Sequence, residues 1–369
     1  VDSEEISKLS DKELLALKKK LESDISKYQN MQLAKKTQSN SAYGACGSEY
    51  FRYFDIRLAE AITVSGQFTI RYIMQSLNKY INGILKTDKD YVIAGDTDSV
   101  YLNLEDLVEA VIGSKNPTVK QRIEFMDKVC SMKLSKVIAS AAKEIAESMN
   151  MLEQRLSMKR EVLAEVGVWT RKKRYILLVH NTEGAEHAEP KIKITGMESK
   201  KSSTPRLCRK WLKDAYSIIL QKDEAAIQEF IKKCEAEFFA LPPEQIATPI
   251  SVKNIDKFES GNSWVSGTPF NSKSTIVYNK LLRDNKLTKK YRTIKEGEKV
   301  KIVPLKMPNP VKTNNIAFVD VLPEEFKLNK YVDYRTHFDK VFLTPLRVIL
   351  HMIGWTDKPR ADLSAFFED

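Results

Sequence analysis

The sequence predicts an α+β protein on three observations: long stretches with apolar residues every three or four positions, one pair of apolar runs hinged on a short polar turn, and a block of successive β-rich segments. With 369 residues, 42% of them hydrophobic and 30% charged, the chain reads as folded and long enough for two or three domains.

The helical signal starts at Ser10-Asp11-Lys12-Glu13, which has the S-x-x-E form of a capping box. Leu14, Leu17, Leu21, Ile25 and Tyr28 then recur at helical spacing and predict a helix from about Asp11 to Tyr43. Gly44 and Gly47 allow a break, and a second helix is expected from about Leu58 to Leu85. Two strand-like runs, YVIAG and SVYLNL, follow and enclose Asp96-Thr97-Asp98. Residues Thr118 to Leu152 read as helix again, with Ile123, Met126, Val129, Leu134, Val137 and Ile138 on one face. Three β-rich segments come next: REVLAEVGVWT, KKRYILLVH and KIKITG.

Composition shifts at Gly196 into MESKKSSTPR, where we place a domain boundary. Pro205 is suited to open a helix through about Gln221, and the chain stays mostly helical to Leu241. Pro242-Pro243 interrupts it, mixed strand and loop run to about Asn309, and an apolar helix-like run covers Phe338 to Trp355.

The formal net charge of +11 favours a polyanionic partner, either nucleic acid or an acidic membrane surface. No apolar run approaches the ~18 residues of a membrane span, and the N-terminus lacks the pattern of a signal peptide, so a cytoplasmic setting without membrane insertion is expected. Cys46, Cys130, Cys208 and Cys234 lie far apart, without zinc spacing, and are expected to be buried thiols.

Three clusters carry candidate chemistry. Asp96 and Asp98 project from a tight hairpin turn, and two carboxylates on such a turn suit Mg²⁺, which takes one or two protein carboxylates together with substrate phosphates. Asp and Thr are also ordinary turn residues, so this motif alone reads first as a polar bend. Lys36, Asn40 and Tyr43 share one helix face, where an ammonium, an amide and an aromatic ring could meet a nucleoside triphosphate; alone they are also a solvated lysine beside a core tyrosine. In WTRKKRYILLV, Arg171 to Arg174 lead into a strand, with Lys172 and Arg174 expected on one face and Lys173 and Tyr175 on the other. That pattern suits phosphate contacts along a duplex and serves equally to protect a sheet edge.

Taken in order, KKTQSNSAYG, GDTDSVY, MKRE and WTRKKRY resemble the C-terminal part of family B DNA polymerases, most strongly bacteriophage members and from Asn40 to Pro205. The resemblance implies a partial right-hand polymerase fold: partial fingers at 1–50, a palm built on an antiparallel sheet with the catalytic hairpin at 51–196, a mostly helical thumb at 197–355, and a tail at 356–369. It implies Asp98 as a metal ligand, Asp96 near the primer end, and Lys36 on the triphosphate as a catalytic group. Asn40 and Tyr43 would lie beside the nascent base pair, and Glu161 near the metals. Lys172, Lys173, Arg174, Tyr175 and Lys201 would contact primer-template DNA. Leu363, Phe366 and Phe367 in LSAFF resemble a peptide that holds a sliding clamp.

The implied activity is primer extension with dNTPs and two Mg²⁺ ions, in the host cytoplasm if the protein is viral. The chain departs from the family pattern at Ala94, where a Tyr is usual, and the D-x-x-S-L-Y-P-S strand and the exonuclease region find no match. Together with a start at Val1, this predicts either a split polymerase whose N-terminal polypeptide supplies the other aspartate and the exonuclease, or a C-terminal fragment of a longer polymerase. The competing class is a non-catalytic DNA-binding or clamp-tethering module that keeps the polymerase shape.

Overall fold

Ser10 opens the first helix as expected: its N–H and hydroxyl both donate to Glu13 Oε2, at 2.9 and 2.7 Å, which occupies donors that a helix start would otherwise leave unpaired. The helix, α1, runs Asp11–Cys46, three residues past its expected end. The computed structural model describes residues 9–261 and 263–359. These fall into two units: one holds the described residues up to Leu107 together with Lys136–Ser157, and the other holds Val108–Ser135 and the described residues from Met158 onward.

In the first unit, α2 spans Ile56–Leu85 and starts at Asp55, whose carboxylate accepts from Arg57 N–H at 3.0 Å. Its C-terminal half turns Ile73, Leu77 and Ile81 inward, and each is essentially sealed from water. A side chain of this size contributes about 1.5–3 kcal/mol when buried. The hairpin of β1 (Val92–Asp96) and β2 (Ser99–Leu102) is tied to the same helix, with Asn78 Oδ1 accepting from Tyr91 N–H at 2.9 Å and Asn78 Nδ2 donating to Asp90 at 2.7 Å. By contrast, no residue of α1 is buried, and the Leu21–Ile25–Tyr28 stripe that predicts it stays exposed.

A short helix absent from the sequence expectations, α3, covers Glu105–Ile112. The expected helix over 118–152 forms as α4 (Val119–Val129) and α5 (Ser135–Ser148), joined by a π-type turn at Cys130–Leu134. Thr118 and Gln121 form a second capping box at its start.

The second unit is organised around two cores. In the first, β3 (Val162–Arg171), β4 (Arg174–Thr182) and β5 (Ala185–Thr195) make an antiparallel sheet with β4 in the centre. Tyr175, Ile176, Leu177, Leu178 and Val179 are all buried in succession, as expected for a central strand covered on both faces. Against this sheet pack α6 (Arg206–Gln221) and α9 (Thr344–Met352), and α7 (Glu224–Ala240) packs on α6 within the same core. Trp211, Phe238 and Phe342 meet at the centre, with Trp211 edge-on to Phe342 at 5.9 Å between centroids.

The second core lies between α8 (Phe270–Asp284) and a sheet of β6 (Thr248–Ser251), β7 (Lys299–Pro304) and β8 (Asn315–Phe318), with β7 in the middle. The expectation of only strand and loop up to Asn309 misses α8, because its buried face is partly polar. Ser274 and Thr275 are buried and satisfy their hydroxyls on the Phe270 and Asn271 carbonyls one turn back, at 2.7 and 2.9 Å.

Two further expectations are corrected. Lys172 and Lys173 are not strand residues; they form the turn between β3 and β4, with Lys173 left-handed at φ 61°, so the predicted alternation of faces does not apply to them. Only Cys208 and Cys234 are buried; Cys46 and Cys130 are partly exposed.

Candidate functional site

In the first unit, the hairpin closes on two residues. Asp96 pairs with Ser99, Gly95 with Val100 and Ala94 with Tyr101, which leaves Thr97 and Asp98 as the turn. Thr97 takes the left-handed conformation, φ 49°, that tight hairpin turns require. Asp98 N–H closes onto the Asp96 carbonyl at 2.5 Å, and the Ser99 hydroxyl donates to the same oxygen at 3.1 Å. Asp98 is exposed at the tip, Asp96 is half-buried at the strand end, and Thr97 Oγ1 donates to Asp96 Oδ1 at 3.2 Å. Below them Gly95 lies close to Met74: a Cβ there would come within 3.2 Å of Sδ.

These are hard oxygen donors on a fixed turn, the donor type and number that a Mg²⁺ ion takes when phosphate and water complete its shell. Among the described residues, no cluster of three or more His, Cys, Asp or Glu side chains forms a metal-binding group. A hard divalent cation would find at most a partial ligand set in these two carboxylates. On α1, Lys36, Asn40 and Tyr43 are all exposed on the helix surface.

The second unit carries the other candidates. Glu161 precedes β3 and accepts from Lys193 Nζ at 2.7 Å, so its charge is already balanced by a lysine. Its neighbour Arg160 is largely buried, donates to Asn181 Oδ1 at 2.7 Å and pairs with Asp127. Tyr175 is buried and meets Trp169 across the strands, with ring centroids 5.8 Å apart.

Arg174 and Lys201 are brought together by a residue outside the sequence expectations. Arg174 Nη2 lies 2.6 Å from both carboxylate oxygens of Glu198, and Lys201 Nζ donates to Glu198 Oε1 at 3.1 Å. Burial pushes the Glu198 carboxyl up, but its bond from Lys201 and the nearby Arg174 charge outweigh this and hold it below the usual carboxylate range. The available signal was small: Glu198 is the single acid within MESKKSST. Leu363, Phe366 and Phe367 of the expected clamp peptide lie outside the described residues.

DNA polymerase family B matches residues 10–115, a span that includes the α1 face and the Asp96–Asp98 hairpin. Beyond that span, the chain is 33% identical over 349 residues to the DNA-directed DNA polymerase of Enterobacteria phage T4, covering 91% of this chain and 38% of the phage protein. To the DNA-directed DNA polymerase of Escherichia phage RB69 it is 34% identical over 346 residues, covering 90% of this chain and 37% of that protein. The chain thus spans less than two fifths of the length of these relatives. On the family match and on one-third identity sustained over nine tenths of its length, the chain belongs to DNA polymerase family B.

Proposed function

We propose that this chain is the C-terminal subunit or fragment of a DNA-directed DNA polymerase and extends a primer by nucleotidyl transfer together with a polypeptide supplying the remaining length. The observation that carries the reading is the Asp96–Thr97–Asp98 turn: an exposed carboxylate at a hairpin tip, set on a rigid two-residue bend within the span matched to the family. In this reading residues 1–50 belong to the fingers, 51–196 to the palm, 197–355 to the thumb, and 356–369 to a clamp-binding tail.

In the reaction, the primer 3′-hydroxyl attacks the α-phosphate of the dNTP and pyrophosphate leaves. Asp98, with Asp96 beside it, would hold Mg²⁺, which when bound supplies positive charge at the phosphate oxygens. Lys36 would steady the triphosphate and offer a proton to the departing pyrophosphate, while Asn40 and Tyr43 flank the incoming base. Glu161 would act near the metals, and the Lys172–Lys173 turn with Arg174, Tyr175 and Lys201 would hold the duplex.

A partner polypeptide would also cover apolar side chains of the first unit. Leu21, Ile25 and Tyr28 on α1, with Tyr50, Phe51, Tyr53 and Phe54 between α1 and α2, are all exposed. Exposed apolar side chains in this number suit contact with another polypeptide.

The test is primer extension with the chain alone, and with the chain plus an N-terminal polypeptide covering the missing length, in Mg²⁺ and dNTPs. Extension is expected from the pair only, and Asp98→Ala, at an exposed turn with no packing role, should abolish it. Equal extension by the Ala variant would remove the assignment. Duplex binding without extension by the pair would mark a module that binds or tethers DNA and does not catalyse.

A further inference from the structure

The basic surface of the second unit has an acid at its centre. Arg171, Lys172, Lys173 and Arg174 come from the β3–β4 turn, and Lys200 and Lys201 from the loop after β5, with Glu198 between the two segments. A carboxylate there weakens the long-range attraction of the patch for a polyanion. Its side chain is only 18% exposed, against 51% for Lys201, so it is turned into the protein and faces its two cations.

The contacts around Glu198 are of a kind that fixes geometry. Its backbone carbonyl accepts from Lys201 N–H at 3.0 Å and from the Thr204 hydroxyl at 2.9 Å, which folds the loop into a single 3₁₀ turn over Glu198–Lys200. Met197 and Ser199 on either side are buried and anchor that turn. Glu198 therefore stands on a rigid base and reaches both basic segments. After the observed bonds, Lys201 keeps donor capacity on its ammonium, and Arg174 keeps Nη1 and part of Nη2.

We propose that Glu198 is a positioning residue for duplex DNA: it holds Arg174 and Lys201 in one arrangement, and with Arg174 the Lys172–Lys173 turn, so that two separate segments present a single phosphate-binding surface. The ligand in this inference rests on the polymerase reading above; the clamp itself rests on the bonds of Glu198.

Charge and geometry predict opposite signs for Glu198→Gln. Removing a negative charge from a basic patch should tighten duplex binding and steepen its salt dependence if Glu198 is only a neighbour. If it positions the cations, binding weakens although net charge rises. The measurement is the affinity of the full chain for a fluorescent primer-template duplex between about 50 and 200 mM salt. We expect Glu198→Gln to bind about five- to thirtyfold more weakly at the lower salt, with a log–log salt slope shallower by about 1–2. Lys201→Gln should weaken binding too, and the double variant should bind no more weakly than Glu198→Gln alone, because both changes remove the same placed contact.

Unchanged or tighter binding by Glu198→Gln, or fully additive losses in the double variant, would overturn the inference. Should Glu198→Gln lose its fold by near-ultraviolet circular dichroism, Glu198→Asp takes its place: shorter by one methylene, it should fall below wild type, and wild-type affinity would overturn the proposal. A wild-type chain that does not bind the duplex sinks the polymerase interface and this inference together. A wild type that binds, with Glu198→Gln no weaker, sinks the inference alone.

Discussion

Gly196 and Lys173 approach so closely that a Cβ on Gly196 would fall 2.1 Å from the Lys173 carbonyl oxygen. Gly196 also sits at φ 65°, where a side chain is strained even in open space. The end of β5 is thereby pressed against the β3–β4 turn. Gly196→Ala is expected to destabilise the fold by about 2–4 kcal/mol, combining backbone strain with a clash against main chain that cannot rotate away. Gly184→Ala is the matched control: its φ is also positive, 92°, but nothing lies within 4 Å of the added Cβ, so only the strain of about 1 kcal/mol remains. Urea midpoints for the two variants decide the matter, and equal shifts would show that the contact at Gly196 is relieved at little cost.

This junction also shows what a sequence reading can and cannot reach. Local rules are visible in the chain: the Ser10–Glu13 capping box, the 92–102 hairpin and the Pro242-Pro243 break all follow from residues within a few positions of one another. What depends on distant residues is hidden. Nothing in KKRY alone distinguishes a two-residue turn from continuous strand, and Lys173 becomes left-handed in a turn that packs on Gly196. Glu198 reads as one acid in a basic stretch until Arg174, 24 residues earlier, is brought onto it. Helix α8 is masked for the opposite reason, since its Ser and Thr residues look like loop but are satisfied on their own backbone. The carboxylate pair at Asp96 and Asp98 is legible as a hairpin tip from sequence because both residues lie in one turn.

The four thiols should separate by reactivity. Cys208 and Cys234 are 0 and 2% exposed, and burial pushes both thiols up to about 12; burial also pushes Cys130 up to about 11. Because the thiolate is the reacting species, these groups are almost wholly protonated at pH 8. Alkylation of the native protein, followed by peptide mass spectrometry, should label Cys46 first and leave Cys208 and Cys234 unmodified until denaturant is added. Labelling of Cys208 at the rate of Cys46 would contradict the packing of α6 against the sheet.

His337 should make the second unit sensitive to acid. Its ring is 2% exposed, Nε2–H donates to the Ile246 carbonyl at 2.8 Å, and Phe238 packs beside it. Burial lowers its pKa from 6.5 to about 4; the bond to Ile246 opposes that shift, Lys340 adds to it and Asp333 opposes it. The unfolded chain therefore binds one more proton than the folded chain between about pH 4 and 6.5, so stability rises with pH through that window. The contribution is fully present above 6.5, is lost as pH falls towards 4, and amounts to about 3 kcal/mol. His337→Gln retains an N–H donor for Ile246 and cannot titrate. Other acids titrate in the same range, so the informative quantity is the difference between variant and wild type: the slope of unfolding free energy against pH should be shallower in the variant by about one proton between pH 4.5 and 6. Parallel curves for the two proteins would show that His337 is not held neutral in the folded state.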